Sequence, residues 1–403
     1  MEIIDNKALL IRTRKPDKYQ ILPRSLIVEQ SGEGATVMVK WGLDEVRVLQ
    51  NLGVHNLQSP IAGRYKWPGR YKPMEHQVDT ASFLTINRKA FCFNDPGTGK
   101  TLSALWAADY LMRLGEVRRV LVLCPLSIMH SAWMADLQAS VIHRSAIIAH
   151  HNRPERRIAM VRGDYEFVIA NYDGVKIFGD AVIKDGRFDL IIVDEANSYK
   201  NVSTDRWRAL NRIVTPDTYL WLMTGSPASQ SPEDAYGLAR LVCPARVPRF
   251  KTGWRDKVML KASAFKWVPR PGAKELVHEV LQPAIRYEKA QCLDLPPVLT
   301  ETREVPMTAM QTQYYNQLKQ QALIRAGGET ISAVNAAAEV SKLLQISCGA
   351  AYSDNSEVIE FDATPRLRVL EEVLRETNRK VIVFALFRSS IAAMAEYLRG
   401  KGI

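Results

Sequence analysis

The chain has 403 residues, 47% of them hydrophobic and 24% charged, and a formal net charge of +11. That balance suits a packed globular chain of two to three domains and excludes wholesale disorder. No apolar run approaches the ~20 residues of a membrane span, and the five scattered cysteines form no CxxC pair or Cys/His ligand spacing, which argues against a disulfide framework or a structural zinc.

Residues 1–65 read as a small β-rich module, with β-favouring runs at 8–11, 25–28, 36–41 and 45–49 separated by glycines. Residues 65–73 read as a linker rich in proline, glycine and aromatics. From about 74 to 240 the rhythm becomes α/β. Apolar runs at 90–93, 120–124, 146–149, 167–170, 190–193 and 219–223 alternate with helical patterns, one carrying Leu102, Leu105, Trp106 and Leu111 ahead of Gly115. Near-continuous apolar strands between helices predict a parallel sheet covered on both faces. Residues 241–300 read as an irregular basic insert. Residues 301–403 read as helical over 307–325 and 331–346, followed by a strand at 380–384 and a helix at 389–399. That last pair reads as the start of a second, incomplete α/β lobe.

The positive charge is concentrated in two places. Residues 1–72 hold 12 Lys/Arg against 7 Asp/Glu, and residues 240–289 hold 12 against 4. Localised basic surface points to a polyanion, most often nucleic acid. In the second segment Arg246, Arg249, Lys251, Arg255 and Lys257 are the expected phosphate contacts. His130, His150 and His151 have no matching ligand cluster and read as surface or core residues.

The strongest local signal is Asn94-Asp95-Pro96-Gly97-Thr98-Gly99-Lys100-Thr101, with an apolar strand before it and an amphipathic helix after it. That is the context of a phosphate loop. Gly97 and Gly99 let backbone N–H groups approach phosphate oxygens, and the helix N-terminus adds partial positive charge. Lys100 would reach the β- and γ-phosphates of ATP, and the Thr101 hydroxyl would ligate Mg²⁺. The strict pattern has glycine where this chain has Asn94. Farther on, four apolar residues lead into Asp194-Glu195. Asp194 would hold Mg²⁺, and Glu195 would orient or deprotonate the attacking water.

With these blocks in order, the chain resembles the superfamily-two DNA motors of the Swi/Snf type, over about residues 70–403. Gln77 sits where that family reads adenine. Cys124-Pro125-Leu126-Ser127 followed by Trp133 is similar to its motif Ia, and Ala170-Asn171-Tyr172 resembles a block that faces DNA. The run 194–201 resembles DE-x-H-x-x-K-N, with Asn197 in place of histidine; Asn can hydrogen-bond but cannot carry a proton. The run 222–227 resembles motif III, so Thr224, Ser226 and Asn197 would couple hydrolysis to domain movement. Leu293-Asp294-Leu295-Pro296-Pro297 resembles the joint between the two motor domains, and 381–384 with Arg388 resembles motif IV.

The resemblance implies a RecA-like lobe, ATP and Mg²⁺ as cofactors, and DNA, duplex or branched rather than RNA, as partner through Ser127, Asn171 and Tyr172. It implies an ATP-dependent helicase or translocase that anneals, branch-migrates or unwinds DNA. The wider expectation is a monomer, off the membrane, in the cytoplasm of a bacterium or phage-infected host, working with replication or recombination proteins. The motif VI pattern Q-x-x-G-R-x-x-R does not occur after Phe384. The expectation is therefore a chain cut short of motifs V and VI that turns ATP over weakly. The alternative is a nucleotide-gated DNA-binding module without efficient hydrolysis.

Overall fold

Alternating side chains organise the N-terminal segment. In the computed structural model the strands β1 (Glu2–Ile4), β2 (Ala8–Thr13), β3 (Leu26–Ser31) and β4 (Gly34–Lys40) form an antiparallel sheet in the order β1-β2-β4-β3. Leu9, Ile11, Val37 and Val39 point inward and are buried. All residues are described except 32–33, 264–265, 329–332 and 353–357. The run 45–49, expected as a strand, lies in the helix Leu43–Asn51. Leu43, Val46 and Leu49 recur every three residues and bury one face, and Asp44 and Glu45 suit the first turn.

The chain forms two compact units, Met1–Leu295 and Pro296–Ile403. In the first, the N-terminal sheet shares one hydrophobic core with the α/β lobe. The segment expected as a linker is packed. Trp67 meets Trp106 edge-on at 5.5 Å, and the Tyr65 hydroxyl donates to the buried Asp109 at 2.6 Å. Arg47 reaches from its helix to Glu116 at 2.8 Å and to the Thr85 carbonyl at 2.8 Å.

The lobe is built on β5 (Lys89–Cys92), β6 (Arg119–Cys124), β7 (Ala146–Ile148), β8 (Phe167–Asn171), β9 (Phe188–Val193) and β10 (Tyr219–Met223). Along β6, Val120, Val122 and Cys124 join one core while Leu121 and Leu123 join the other, so both faces of the sheet are covered. The stretch read as an irregular insert is ordered. It contains the helices Lys251–Val258 and Ala273–Val280, the hairpin β11 (Met259–Lys261) with β12 (Trp267–Pro269), and β13 (Ala284–Ile285). The last of these pairs in parallel with β5, completing the sheet order β13-β5-β10-β9-β6-β8-β7. A two-residue strand carries no periodicity a sequence reading can detect.

The second unit contains the helices Ala309–Gly328, Ala333–Cys348, Thr364–Arg375 and Arg388–Gly400 and the hairpin β14 (Ala350–Tyr352) with β15 (Val358–Glu360). The strand expected at 380–384 is absent. Ile382 and Phe384 are 79% and 91% exposed. A strand exists only through a ladder with a neighbour, and among the described residues none pairs with this run. No described helix is long and apolar enough to cross a membrane.

Candidate nucleotide site and nucleic-acid face

Strand β5 delivers the chain into the phosphate loop, and the loop closes onto the helix Lys100–Arg113. Gly97 and Gly99 take φ of +87° and +79°, the left-handed region that glycine enters without penalty. At Gly99 a Cβ would also overlap the Gln77 side-chain amide. Gln77 is locked in place: Nε2 donates to the Thr98 carbonyl at 3.3 Å, and Oε1 accepts from the Met74 N–H at 3.0 Å. His76 adds a second contact to the same carbonyl at 2.9 Å. The Thr98 hydroxyl donates to the Asp95 carbonyl, and Lys100 Nζ donates to the Asn94 carbonyl at 2.7 Å. Thr101 follows in the first helical turn.

Asn94, expected among the nucleotide-binding residues, has its side chain turned into the wall of the site. It is 1% exposed; Nδ2 donates to Thr80 Oγ1 at 2.8 Å and Oδ1 accepts from the Tyr287 N–H at 3.0 Å. It joins the helix Glu75–Ile86, the phosphate loop and the chain leaving β13. The glycine of the strict pattern would supply neither bond.

Strand β9 ends in the two carboxylates. Asp194 is 7% exposed and fully engaged. Its Oδ1 accepts from the Glu195 N–H at 3.0 Å and its Oδ2 from Trp133 Nε1 at 2.9 Å. Its backbone N–H donates to the Leu123 carbonyl and its own carbonyl accepts the Tyr172 hydroxyl at 2.7 Å. Burial pushes its carboxyl above the usual range, against the pull of Trp133, Glu195 and Lys100. Glu195 adopts φ of +45°, a turn that takes its side chain off the strand alternation and toward Thr224. Burial and then Asp194 raise Glu195 as well, opposed by Lys100 and Thr224. Burial lifts the Cys92 thiol to about 11 and the Cys124 thiol to about 12, so neither supplies a thiolate at neutral pH.

The residues expected to couple hydrolysis to domain movement converge. Asn197 Nδ2 donates to the Ser226 carbonyl at 2.6 Å, and the Thr224 hydroxyl accepts from the Ser226 N–H at 3.3 Å. A Cβ at Gly225 would press on Pro96 of the phosphate loop. Asn197 thus makes a direct link between the carboxylate turn and the strand-end turn after β10, with no proton to carry.

The expected nucleic-acid residues divide. Ser127 is exposed, and Asn171 is half-buried with its Oδ1 near Arg157 at 3.5 Å. Tyr172, expected to face DNA, is instead 8% exposed and bonded inward to Asp194. Arg246, Arg249 and Lys257 are exposed and, among the described residues, have no carboxylate partner. Arg246 donates to the Glu279 carbonyl at 3.0 Å. Lys251 and Arg255 converge on Glu233, and Arg255 also lies over the Trp267 ring, so part of the apparent charge of this segment is neutralised internally.

Two contributors escaped the sequence reading. Trp133 was visible only as an aromatic after motif Ia, and its partner Asp194 is far away in sequence. Tyr287 acts through its backbone N–H, which no side-chain pattern reports.

The sequence model of the SNF2-related domain matches residues 68–350. Protein p41 of Acyrthosiphon pisum secondary endosymbiont phage 1 is 25% identical over 329 residues, covering 78% of this chain and 71% of that one. The uncharacterized ATP-dependent helicase YqhH of Bacillus subtilis (strain 168) is 26% identical over 215 residues, 52% of this chain but only 36% of its own length. Among solved structures, the SWI2/SNF2 ATPase core of Sulfolobus solfataricus in complex with dsDNA superposes with a TM-score of 0.50 at 20% identity. It covers 83% of this chain and 70% of that one, a likeness of fold. The match from residue 68 to 350 spans the phosphate loop, Asp194-Glu195 and the Thr224–Ser226 turn, and the chain belongs to the SNF2-related family of ATP hydrolases.

Proposed function

We propose that this chain is an ATP-dependent motor directed to duplex or branched DNA, moving along it or remodelling it by annealing, branch migration or unwinding. The observation that carries the reading is the convergence of the phosphate loop, Asp194-Glu195 and the Thr224–Ser226 turn, tied by the Asn197–Ser226 hydrogen bond. Lys100, now bonded to the Asn94 carbonyl, would exchange it for phosphate oxygens. Asp194 and Thr101 offer the hard oxygen donors that suit Mg²⁺, which keeps most of its shell as water and phosphate. Bound there, Mg²⁺ would supply charge neutralisation of the phosphate oxygens. Glu195, held beside Thr224, would orient the attacking water. Arg246, Arg249 and Lys257 would track phosphates without reading bases. The same reading extends to a monomer that works in the cytoplasm beside replication or recombination proteins.

The test is ATP hydrolysis without DNA and with single-stranded, duplex and forked DNA, on the wild-type chain and on Lys100→Ala. Duplex-stimulated turnover that Lys100→Ala abolishes supports the motor. A second reading, nucleotide-gated DNA binding without efficient hydrolysis, is favoured by the fact that every residue from Gln77 to Ser226 lies within the first unit. In that case Lys100→Ala changes only nucleotide-dependent DNA affinity.

A further inference from the structure

The two segments that carry Ser127 and Asn171, expected to face DNA, each hold an aromatic residue bonded to Asp194. From the first, exposed Ser127 leads into the turn Met129–Met134, which is wound as a π-helix, and the Ser131 hydroxyl ties back to the Ser127 carbonyl at 3.1 Å. Trp133 on that turn is fully buried and donates its indole N–H to Asp194 Oδ2. From the second, Asn171 closes β8, and Tyr172 donates its hydroxyl to the Asp194 carbonyl. The two aromatics belong to different cores, Trp133 to the one on one face of the sheet and Tyr172 to the one on the other. They therefore hold Asp194 from opposite faces, one by its carboxylate and one by its backbone. Single π-turns recur at functional sites.

We propose that Trp133 and Tyr172 are positioning residues that pass engagement of duplex DNA at Ser127 and Asn171 to the Mg²⁺-holding carboxylate of Asp194. The proposal rests on the readings of Asp194 as a metal ligand and of Ser127 and Asn171 as DNA contacts given above. An outer donor to a metal-binding carboxylate fixes which lone pairs remain for the metal, and its loss commonly costs ~10- to 100-fold in metal affinity. A DNA phosphate contact that favours one arrangement of the 127–133 turn would alter that affinity without touching the nucleotide.

The experiment uses the full chain and a fluorescent ATP analogue, titrated with Mg²⁺ with and without a short duplex; duplex affinity is measured separately. Trp133→Phe removes the indole donor, and Tyr172→Phe removes only a hydroxyl and carries the test if Trp133→Phe folds poorly. Trp106→Phe is the control, because Trp106 is equally buried but donates to the Pro68 carbonyl. Expected: duplex lowers the half-saturating Mg²⁺ of the wild-type chain. In Trp133→Phe that Mg²⁺ concentration rises about tenfold, and in both Trp133→Phe and Tyr172→Phe duplex no longer lowers it, while duplex affinity is preserved. Trp106→Phe behaves as wild type. The proposal is overturned if both variants keep the wild-type response to duplex, or if Trp106→Phe loses it equally. Failure of the parent reading appears differently, as analogue binding by the wild-type chain that is indifferent to both Mg²⁺ and Lys100→Ala.

Discussion

Asn94→Gly would restore the strict phosphate-loop pattern, and the structure says it should harm the protein. The substitution deletes both bonds of the Asn94 side chain, to Thr80 Oγ1 and from the Tyr287 N–H. Each neutral buried bond is worth about 1 kcal/mol, and stranding the Tyr287 N–H adds about 1–3 kcal/mol. The extra backbone freedom of glycine adds about 0.5–1 kcal/mol. The sum is about 3.5–6 kcal/mol, which for a unit of this size lowers Tm by about 7–24 °C. Thr80→Val removes one of the two Asn94 bonds from the other side, together with the bond from the Thr80 hydroxyl to the His76 carbonyl. The double variant should cost less than the sum of the two, because they share a bond. Thermal unfolding of the four proteins, followed alongside nucleotide affinity, checks this. Equal stability of Asn94→Gly and wild type, or additive losses in the double variant, would refute the role of Asn94 as a brace.

Asn197→Ala should leave ATP affinity within about twofold while lowering DNA-stimulated turnover about tenfold, the worth of one hydrogen bond of ~1.4 kcal/mol at the coupling step; Asn197→Gln tests whether reach as well as chemistry is needed, and a variant with unchanged turnover would sink the coupling role. Replacing Arg246, Arg249 and Lys257 together with alanine should weaken duplex binding and flatten its log–log salt slope by up to about 2.7. Lys251→Ala with Arg255→Ala should move that slope less, because those cations already face Glu233; equal effects from the two sets would show the charge to be one undivided patch.

The parts that were legible in the sequence are the parts whose causes are local. Strands β5 to β10 announce themselves because burial on both faces demands unbroken apolar runs. The phosphate loop announces itself because its glycines answer to backbone geometry within a few residues. The carboxylate pair could be located, but not the donors that hold it: Trp133 and Tyr172 reach Asp194 only after three parallel strands, β9, β6 and β8, have been brought side by side. The same holds for β13, whose place beside β5 is set by pairing rather than by pattern. The run 45–49 misled because valine and leucine fit strand and helix alike, and only the three-residue spacing of Leu43, Val46 and Leu49 against a core selects the helix. Tyr172 misled because an aromatic at the end of a strand can face either way.

The least legible feature is also the one with a distinct pH signature. Asp109, fully buried on the helix that begins at Lys100, receives the Tyr65 hydroxyl at 2.6 Å, Arg144 Nε at 2.6 Å, His143 at 2.8 Å and Arg113 Nε at 2.9 Å. Burial alone would raise its carboxyl, but the donors from Tyr65, Arg144 and His143 outweigh burial and hold it below the usual carboxylate range. A depressed folded-state pKa stabilises the fold above the unfolded-state value of about 3.9, and that contribution disappears as pH falls through the folded-state value. Asp109→Asn removes the buried charge that Tyr65, Arg113 and Arg144 face, while Arg144 keeps Glu166 as a partner; it should cost about 1–3 kcal/mol at neutral pH, and its unfolding free energy should fall less steeply than wild type below about pH 4. Because Tyr65 leads into the packed segment that follows the N-terminal sheet, the variant should also expose the bonds near residues 64–70 to protease before the rest of the lobe unfolds. Parallel pH profiles for the two proteins, or uniform proteolysis, would mean that Asp109 neither carries the acid sensitivity nor anchors the N-terminal sheet to the nucleotide lobe.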